Sequence, residues 1–522
     1  MDAIEPYVSL HFIDYAIVVV YMIGSLVLGT YCAKYVGNAD DFFLAGRALP
    51  FWAIGFSIVV SDIGATDFVA VAGAAYRNGI SAANFDWMGS MPAMVIAAFL
   101  FVPYFWRSGV FTIPEFLGRR YNGAVQFING VIWVFVQFVM LAVMLWITAD
   151  KLMYTILGWN PYYTLWIVTL ITGFYTFGGG LTAVVFTDVV QLIVMYVGGL
   201  GLLALCLWEV GGIGALHDRI IAMGPQYQDH FTLLLPNDTV GPFPWTGIVF
   251  GLALVMAVAY MSGNQLIVQR TLGARTEWDA KAGMLFGGLL KVFIPLMVAV
   301  PGLCAILLLT EPLDSADRAV PELIRIYMPA GLRGLMFAAL FAALMSHISA
   351  TLNSVTTIAV TDVVGLIRKW SGAAPFTEKT ALIVGRILTV FFVFSTALSA
   401  EALGNADQIY VFIQTVLSLF QGPVLAILLL GILWRRATGW GGLAGLVLGV
   451  ISCFILNYTP GLFPSEDPFL FVAWWSFIFA LVVTVVVSLL TKPESDDKVR
   501  GLVWGSVVKD PNAQAALQER VS

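Results

Sequence analysis

Charged residues are scarce in this chain: Asp, Glu, Lys and Arg together make up 11% of its 522 residues. Soluble domains carry about 25%, so the sequence has too little charge to cover a water-facing surface of this size. Hydrophobic residues make up 60% of the chain. The composition therefore argues against an ordinary soluble enzyme and predicts a protein embedded in a lipid bilayer.

Cysteine and histidine are also rare, with four residues of each kind. All four cysteines fall in apolar segments without the spacing of a metal site: Cys32, Cys206, Cys304 and Cys453. We therefore expect them to pack in the protein core, and we expect no organic cofactor. Only one histidine, His347, lies inside an apolar run.

Long apolar runs bounded by charge, glycine or proline predict about thirteen membrane-spanning helices. The chain begins with acidic residues and has no basic leader, so we expect the first run to be retained as a helix. The predicted spans, numbered one to thirteen, have the approximate limits 13–33, 50–76, 85–106, 126–156, 161–177, 182–210, 246–269, 280–310, 332–366, 380–400, 407–431, 439–457 and 469–491.

Lysine and arginine are unevenly divided between the two ends of these spans. With the N-terminus outside, 18 of the 26 basic residues lie on the inner side and 6 on the outer side, while Lys291 and Arg386 lie within spans. Basic loops favour the cytoplasmic side. This distribution predicts a multi-pass protein of the plasma (inner) membrane with its N-terminus outside and its C-terminus in the cytoplasm.

Two spans carry glycine and polar residues in the middle of apolar sequence, at 61–67 in span two and at 261–265 in span seven. They lie five spans apart and so cross the membrane in opposite directions. This pattern predicts an inverted repeat with two discontinuous helices. Unwound backbone would present carbonyl oxygens to a cation and helix ends to a central cavity. Two glycine kinks at helix crossings are the alternative interpretation.

Several ionisable residues lie inside the predicted spans, where a charge costs roughly 2.5–3.5 kcal/mol. Lys291 is about ten residues inside span eight, near the middle of the membrane. It needs a carboxylate partner, for which Asp86 and Asp67 are candidates. Such a lysine could lock the helix bundle through a buried ion pair, or it could hydrogen-bond a solute. The full set is Asp62, Asp67, Asp86, Asp150, Asp188, Lys291 and His347.

Span nine places Ser346, Ser349 and Asn353 on one helix face. Small hydroxylated residues are typical of close helix packing. Next to a broken helix, however, hydroxyl and carbonyl oxygens also suit a monovalent cation.

Long stretches of the chain, from about residue 40 to 500, resemble the sodium/solute symporter family, and its sodium/sugar cotransporter branch in particular. The motifs that carry the resemblance are Asp41–Arg47, Tyr175–Asp188 with Gln191, Asn264-Gln265 with Gln269-Arg270, Ser346–Ser354 and Lys498–Gly505. The resemblance implies an all-α membrane fold of the leucine-transporter type, with a five-plus-five inverted repeat.

In that fold, residues 1–35 would form an outside segment and the first helix. Residues 36–435 would form the transport core, with one repeat at 36–210, an outer loop at 211–245 and the second repeat at 246–435. Two peripheral helices would follow at 436–491, and a cytoplasmic tail at 492–522.

The resemblance also implies a sodium site. Its ligands would be the backbone carbonyls of Val60, Ile63 and Ala343 and the hydroxyl of Ser346. His347 stands where a second hydroxyl is usual in the family. Asp188 and Ser349 would assist from nearby. A protonated imidazole at His347 could instead take the place of the ion.

The solute contacts implied by the resemblance fall on Asp67, Asp86, Lys291 and Gln414, with Tyr260 as the inner gate. Asp86, Lys291 and Gln414 match the sugar branch in chemical type, whereas Asp67 replaces a neutral or basic residue. Gly89 and Ala257 lack the side-chain donors of some sugar carriers, so the resemblance does not transfer a particular sugar. Trp87 could stack on a sugar ring or pack at an interface.

The sequence thus predicts a symporter that takes up a small polar solute, a sugar or polyol in the favoured case, together with sodium by alternating access. A proton-coupled or uncoupled carrier that uses His347 is one alternative, and a carrier of an organic anion or an amine is another. A membrane solute sensor or membrane enzyme is disfavoured, because the tail is short and the loops lack an acid/base constellation. The partners expected are the solute, the coupling ion and the bilayer, with no nucleic acid and with the oligomeric state left open.

Overall fold

The computed structural model describes residues 10–154, 157–238, 243–309, 313, 315–403, 409–459, 461–463 and 468–506. Nearly all of these residues belong to helices. Within them, β-structure is confined to two isolated bridges, Leu49–Ala274 and Leu235–Pro244. The predicted all-α class is therefore confirmed.

Thirteen membrane-crossing segments can be traced through the described ranges. Ten helices are long and apolar enough to cross a bilayer, or eleven with the bent pair of span seven. Two divisions raise the count to thirteen. Pro161–Val210 is divided at Gly180, and the continuous stretch Asp67–Ser108 is divided into span three and the second half of span two, which follows Phe51–Asp62.

The segments follow the predicted order. Their helical parts are Phe12–Cys32 (one); Phe51–Asp62 and Ala65–Asn78 (two); Phe85–Ser90, Met91–Ile96, Ala97–Phe101 and Val102–Ser108 (three); Gly123–Ile147 and Thr148–Tyr154 (four); Pro161–Val210 (five and six); Gly247–Met256, Ala257–Gly263 and Gln265–Leu272 (seven); Glu277–Lys291 and Ile294–Leu308 (eight); Leu332–Ile358, Ala359–Val364 and Gly365–Trp370 (nine); Glu378–Leu403 (ten); Ile409–Leu433 (eleven); Gly439–Tyr458 (twelve); and Phe469–Leu490 (thirteen).

Shorter helices connect the spans. They are Ala33–Tyr35, Ala39–Leu44, Ala45–Arg47, Gly79–Ala83, Ile113–Arg120, Ile213–Ala222, Pro225–Phe231, Ala316–Arg318, Ala319–Tyr327 and Asp496–Val499.

Spans five and six join without a loop, and the chain changes direction at Gly180. This residue has φ 49° and ψ −143°, a backbone conformation that side chains other than glycine rarely adopt. A Cβ atom at this position would lie 2.2 Å from the carbonyl oxygen of Phe42. The glycine-rich motif at 175–188 therefore has a structural role, because it lets the bend pack directly against the segment before span two.

Both predicted helix breaks are present. In span two, Ile63 and Gly64 are extended, and the Gly64 N–H donates to Asp67 Oδ2 at 2.6 Å, which caps the second half-helix. In span seven, Asn264 is extended and its side chain accepts a hydrogen bond from the Leu266 N–H at 3.0 Å. The two parts of span seven meet at 51°.

A third interruption, which the sequence analysis did not predict, follows Lys291 in span eight. Proline at 295 cannot donate a hydrogen bond to the Lys291 carbonyl, so the helix stops and restarts at Ile294. Side chains from other spans satisfy the carbonyls at this turn. The Tyr196 hydroxyl donates to Leu290 O at 2.6 Å, and Trp87 Nε1 donates to Val292 O at 3.1 Å.

Span one is fixed to span nine by a buried carboxylate. Asp14 Oδ1 accepts hydrogen bonds from the N–H groups of Gly331 (2.7 Å) and Gly334 (2.8 Å), at the start of span nine. Helix N-termini leave such donors without intrahelical partners, and an anion there is favourable. The first helix is thus attached to the second repeat.

The segment after span thirteen is tied to Tyr121, just before span four, and to the C-terminal end of span eleven. Lys498 Nζ donates to Tyr121 O at 2.5 Å, and the Trp504 N–H donates to Ile432 O at 2.7 Å. Beside them, the buried guanidinium of Arg120 donates to three backbone carbonyls, those of Gly431, Trp434 and Ala437. The polar tail therefore contributes packing and hydrogen bonds to the core.

Candidate functional site: a central cavity between broken helices

A cavity of about 170 Å³ lies between the breaks of spans two and seven. Asp62 and Ile63 face it from one break and Asn264 from the other. Spans three, four, eight, nine and eleven complete its wall. The sequence analysis expected contributions from spans two, three, seven, eight and eleven, so spans four and nine are additions. A liquid water occupies about 30 Å³, so the cavity has room for several waters or one small solute.

Lys291 is the centre of an ion cluster in this cavity. Its side chain is 2% exposed, and its ammonium contacts Asp62 Oδ2 and lies 2.8 Å from Asp86 Oδ1. One lysine therefore joins spans two, three and eight. Asp86 was an expected partner. Asp62 was singled out in the sequence only as an intramembrane acid, and the structure makes it the second partner.

The other expected solute residues also line the cavity. Asp67, Gln414 and Tyr260 face the same space as Asp86 and Lys291. Asp67 makes no ion pair within the described residues, where its hydrogen-bond partner is Gly64 N. Tyr260 lies beside Asp62 and Asn264, at the point where span seven bends. Trp87 does not line this space and instead caps the turn of span eight.

The expected cation residues lie next to the cavity, around Asp188. The Ser346 hydroxyl donates to Asp188 Oδ1 at 2.6 Å, and the Ser61 hydroxyl donates to Asp188 Oδ2 at 3.0 Å. The two serine hydroxyl oxygens are 3.2 Å apart. Ser349 donates to the Ser346 carbonyl at 3.0 Å. These buried oxygens connect spans two, six and nine.

The backbone ligands implied by the resemblance fall in the same region. Val60 is buried in the last turn of Phe51–Asp62, and Ile63 is in the unwound segment facing the cavity. Carbonyls at a helix C-terminus lack intrahelical partners, so this break can offer oxygens to a hard cation. Ala343 lies one turn before Ser346 in span nine and is fully buried.

Arg270 completes this network and was not given a site role from the sequence. Its Nε donates to Ser57 Oγ and its Nη2 to Ser61 Oγ, both at 2.6 Å. Nη2 also lies 3.4 Å from Asp188 Oδ2, and both side chains of this ion pair are at most 1% exposed. Ser57 in turn donates to Asp188 Oδ2 at 2.5 Å. The charge of Asp188 is therefore balanced by a protein cation.

His347 faces the cavity and contacts the broken part of span two. Its Nδ1 lies 3.0 Å from the Ser61 carbonyl oxygen. Since a carbonyl oxygen only accepts, Nδ1 carries the proton in this contact. His347 therefore presents an N–H donor, and not an oxygen ligand, to a carbonyl that lies between Val60 and Ile63 in the sequence.

Four uncharged polar side chains of the cavity wall were also missed by the sequence analysis. Each is at most 4% exposed and has a polar atom without a hydrogen-bond partner among the described residues. They are Trp133 and Gln137 in span four, Thr351 in span nine and Gln421 in span eleven. Uncharged residues within apolar helices give little signal in sequence, and the unpartnered atoms become evident only in three dimensions.

A sodium:solute symporter family model matches residues 42–449, which is most of the chain. The chain belongs to the sodium:solute symporter family. It is therefore a sodium-coupled solute symporter and not an enzyme, and it is a multi-pass integral membrane protein.

Curated relatives support the same assignment. The chain is 30% identical to a sodium/glucose cotransporter of Vibrio parahaemolyticus over 513 residues, which cover 94% of this chain and 92% of that protein. It is 31% identical to sodium/glucose cotransporter 1 of Oryctolagus cuniculus over 546 residues (94% and 81%). It is also 30% identical to the human sodium/myo-inositol cotransporter over 555 residues (94% and 75%).

Solved structures share the fold. A sodium-coupled sialic acid symporter in a substrate-bound, outward-open state superposes with a TM-score of 0.82 at 20% identity, covering 93% of this chain and 100% of that one. A nucleobase-cation-symport-1 family transporter superposes with a TM-score of 0.55 at 13% identity (88% and 97%). The inverted-repeat fold with two discontinuous helices, expected for this family member, is thereby confirmed.

Proposed function

We propose that this symporter takes up a small hydroxylated solute of the sugar or polyol class, and that the central cavity is its binding site. The observation that carries the proposal is the Asp86–Lys291 ion pair facing a cavity that also contains Gln414 and Tyr260. Carboxylate, ammonium and amide groups together can donate and accept, as several adjacent hydroxyls require. The relatives that transport glucose and myo-inositol support this class.

Sodium would bind beside the solute, between the break of span two and span nine. Its proposed ligands are the carbonyls of Val60, Ile63 and Ala343 and the Ser346 hydroxyl, with Asp188 and Ser349 supporting them. Oxygen ligands suit a hard cation. Because such a site spans both repeats, sodium would favour the state in which they are brought together, and this differential affinity would drive the cycle.

Uptake into proteoliposomes tests the proposal. Under an inward sodium gradient we expect accumulation of a labelled sugar or polyol from a panel of glucose, galactose, myo-inositol and sorbitol, and loss of accumulation in Asp86→Asn. Asp362→Asn, which makes the same acid-to-amide change at a buried carboxyl group outside the cavity, serves as the control and should retain uptake. Absence of sodium-driven uptake of every panel member would contradict the proposal.

His347 provides the test of the coupling ion. If sodium is the ion, His347→Ser adds a hydroxyl oxygen to the proposed site and should raise the apparent sodium affinity. If instead an inward proton gradient alone drives uptake and His347→Ser abolishes it, the proton carries the coupling, and the sodium ligand set proposed here is wrong.

We also propose that the N-terminus lies outside and the C-terminus in the cytoplasm of the plasma (inner) membrane. All four native cysteines are buried, so single engineered cysteines can report sidedness. Gln228→Cys, between spans six and seven, should react with an impermeant maleimide on intact cells. Ala373→Cys, between spans nine and ten, should react only after lysis. Both positions are exposed, and the reverse pattern would invert the topology.

A further inference from the structure

The central cavity contains more negative than positive protein charge. Asp62, Asp67 and Asp86 face it, and among the described residues that line it Lys291 is the one lysine or arginine. The second buried ion pair of the transport core, Asp188 with Arg270, is internally balanced. With all carboxylates ionised and His347 neutral, the cavity holds a formal charge of −2.

The contacts show which carboxylate is left over. Lys291 is shared by Asp62 and Asp86. Asp67 accepts a hydrogen bond from the Gly64 N–H at 2.6 Å and lies at the N-terminus of a half-helix, whose dipole offsets only part of its charge. The coupling sodium offsets one of the two negative charges. One remains without a counterion, and an isolated charge is unfavourable within the membrane.

The side chains that line the cavity from spans four, nine and eleven include a set with a different chemistry. Among the described residues, no hydrogen-bond partner is present for the Trp133 N–H, the carbonyl oxygens of Gln137 and Gln421 or the Thr351 hydroxyl. All four are at least nine-tenths buried. Because buried polar groups are normally satisfied, unpartnered donors and acceptors on four residues that line one cavity indicate a ligand that both donates and accepts hydrogen bonds.

We propose that the solute carries an ammonium group as well as hydroxyls, as amino sugars and amino polyols do. This inference rests on the proposed function, in which the cavity is the solute site. The ammonium would bind at Asp67 and the neighbouring Asp62, and the hydroxyls would bind the uncharged polar side chains of spans four, nine and eleven. A neutral sugar would satisfy those side chains but leave the extra carboxylate without a counterion.

Matched pairs of ligands test the proposal with the full-length protein. Sorbitol is compared with 1-amino-1-deoxysorbitol, and glucose and N-acetylglucosamine with glucosamine, in sodium buffer at neutral pH. Each pair differs in charge at one position. Binding is measured as ligand-dependent thermal stabilisation, and transport as sodium-driven uptake. We expect each amine to bind roughly 30-fold or more tightly than its neutral counterpart, the effect typical of a buried charge pair.

Asp67→Asn identifies the charge responsible. The asparagine oxygen can still accept from Gly64, so the half-helix keeps its cap, but the carboxylate charge is lost. The preference for the amine over sorbitol should fall by roughly 30-fold or more, because the amine loses its counterion and the neutral polyol does not. Asp362→Asn is the matched control, because Asp362 is also fully buried in a span but lies outside the cavity, next to Gln126. It should leave the preference unchanged.

Two results would overturn the proposal. One is sodium-driven uptake in which neutral members of each pair bind as tightly as the amines. The other is that Asp67→Asn lowers by one the number of sodium ions on which uptake depends, without changing solute preference. That result would assign the extra charge to a second sodium ion. Absence of any sodium-driven uptake would instead contradict the proposed function. The wild-type ligand comparison remains decisive even if Asp67→Asn fails to fold.

Discussion

Removal of the Arg270 guanidinium, in Arg270→Met, should destabilise the protein by leaving Asp188 as a buried carboxylate without a counterion. The two charged groups are 3.4 Å apart and both almost fully buried. At an effective dielectric constant near 20, their attraction is about 5 kcal/mol. Breaking a buried pair by removing one partner costs about 3–5 kcal/mol in measured cases. We therefore expect a loss of about 3–5 kcal/mol in the free energy of unfolding.

A double-mutant cycle separates this ion pair from the neutral hydrogen bonds around it. Asp188→Asn alone leaves Arg270 as a buried cation without a counterion and should also be destabilising. The double variant buries no net charge, so its loss should be smaller than the sum of the two single losses by about 1–3 kcal/mol. Unfolding by SDS titration in mixed micelles measures all four proteins. Arg386→Met is the control, because Arg386 is a partly buried intramembrane arginine without an ion pair among the described residues.

The same variants test the link to the coupling ion. With Arg270 present, its guanidinium balances Asp188, whose carboxylate oxygens accept bonds from Ser346 and Ser61. In Arg270→Met the carboxylate is free to attract a cation, so the apparent sodium affinity should rise although the sodium-free protein is less stable. Additive losses in the cycle, or an unchanged sodium affinity in Arg270→Met, would refute this account of the network.

Three further changes have defined outcomes. Gly180→Ala should prevent folding, because its Cβ would lie 2.2 Å from the Phe42 carbonyl oxygen; size-exclusion profiles of the expressed protein would show aggregate. Lys291→Met should abolish sodium-driven uptake and lower the free energy of unfolding by about 3–5 kcal/mol, because it leaves the carboxylates of Asp62 and Asp86 without a counterion. Partial burial raises the pKa of Glu494, but hydrogen bonds from Lys498 and a backbone N–H reverse this and hold the pKa below its usual value. Above the usual glutamate pKa the Glu494 carboxylate therefore stabilises the fold, by less than about 1 kcal/mol. The melting-temperature difference between Glu494→Gln and wild type should vanish as the pH falls through the lowered pKa of Glu494.

Each of these predictions has a matched control. Gly24→Ala adds the same methyl group where no neighbouring atom lies within 4 Å, and should express normally. Lys291→Met combined with Asp62→Asn and Asp86→Asn should regain stability without regaining uptake. Asp497→Asn changes an exposed carboxylate three residues after Glu494 and should leave the melting temperature close to that of the wild type.

The helix breaks could be predicted from the sequence, because glycine and polar residues interrupt apolar runs at 61–67 and 261–265. The interruption in span eight was missed, although Pro295 is the signal for it: proline removes the hydrogen bond to Lys291 four residues earlier. Within the long apolar run at 280–310, that residue was read as part of a continuous span.

The partners of buried charges were harder to predict. Asp62 is 229 positions from Lys291, and no local pattern relates the two residues. Arg270 follows the predicted end of span seven in the sequence, yet the bend of 51° turns that half-helix into the core, where its arginine meets Asp188. Sequence periodicity places side chains on a helix face, but the angle between two half-helices decides which residues they reach.

The hydrogen bonds that the tail makes to Tyr121 and to the end of span eleven have a practical consequence for handling this protein. A purification tag or fluorescent fusion that replaces residues after 491 would remove the Lys498 and Trp504 hydrogen bonds and expose the carbonyls they occupy. A tag attached beyond residue 506 keeps both bonds. Yield and monodispersity should therefore favour the longer design, and a truncated version that purifies equally well would show that these bonds are dispensable.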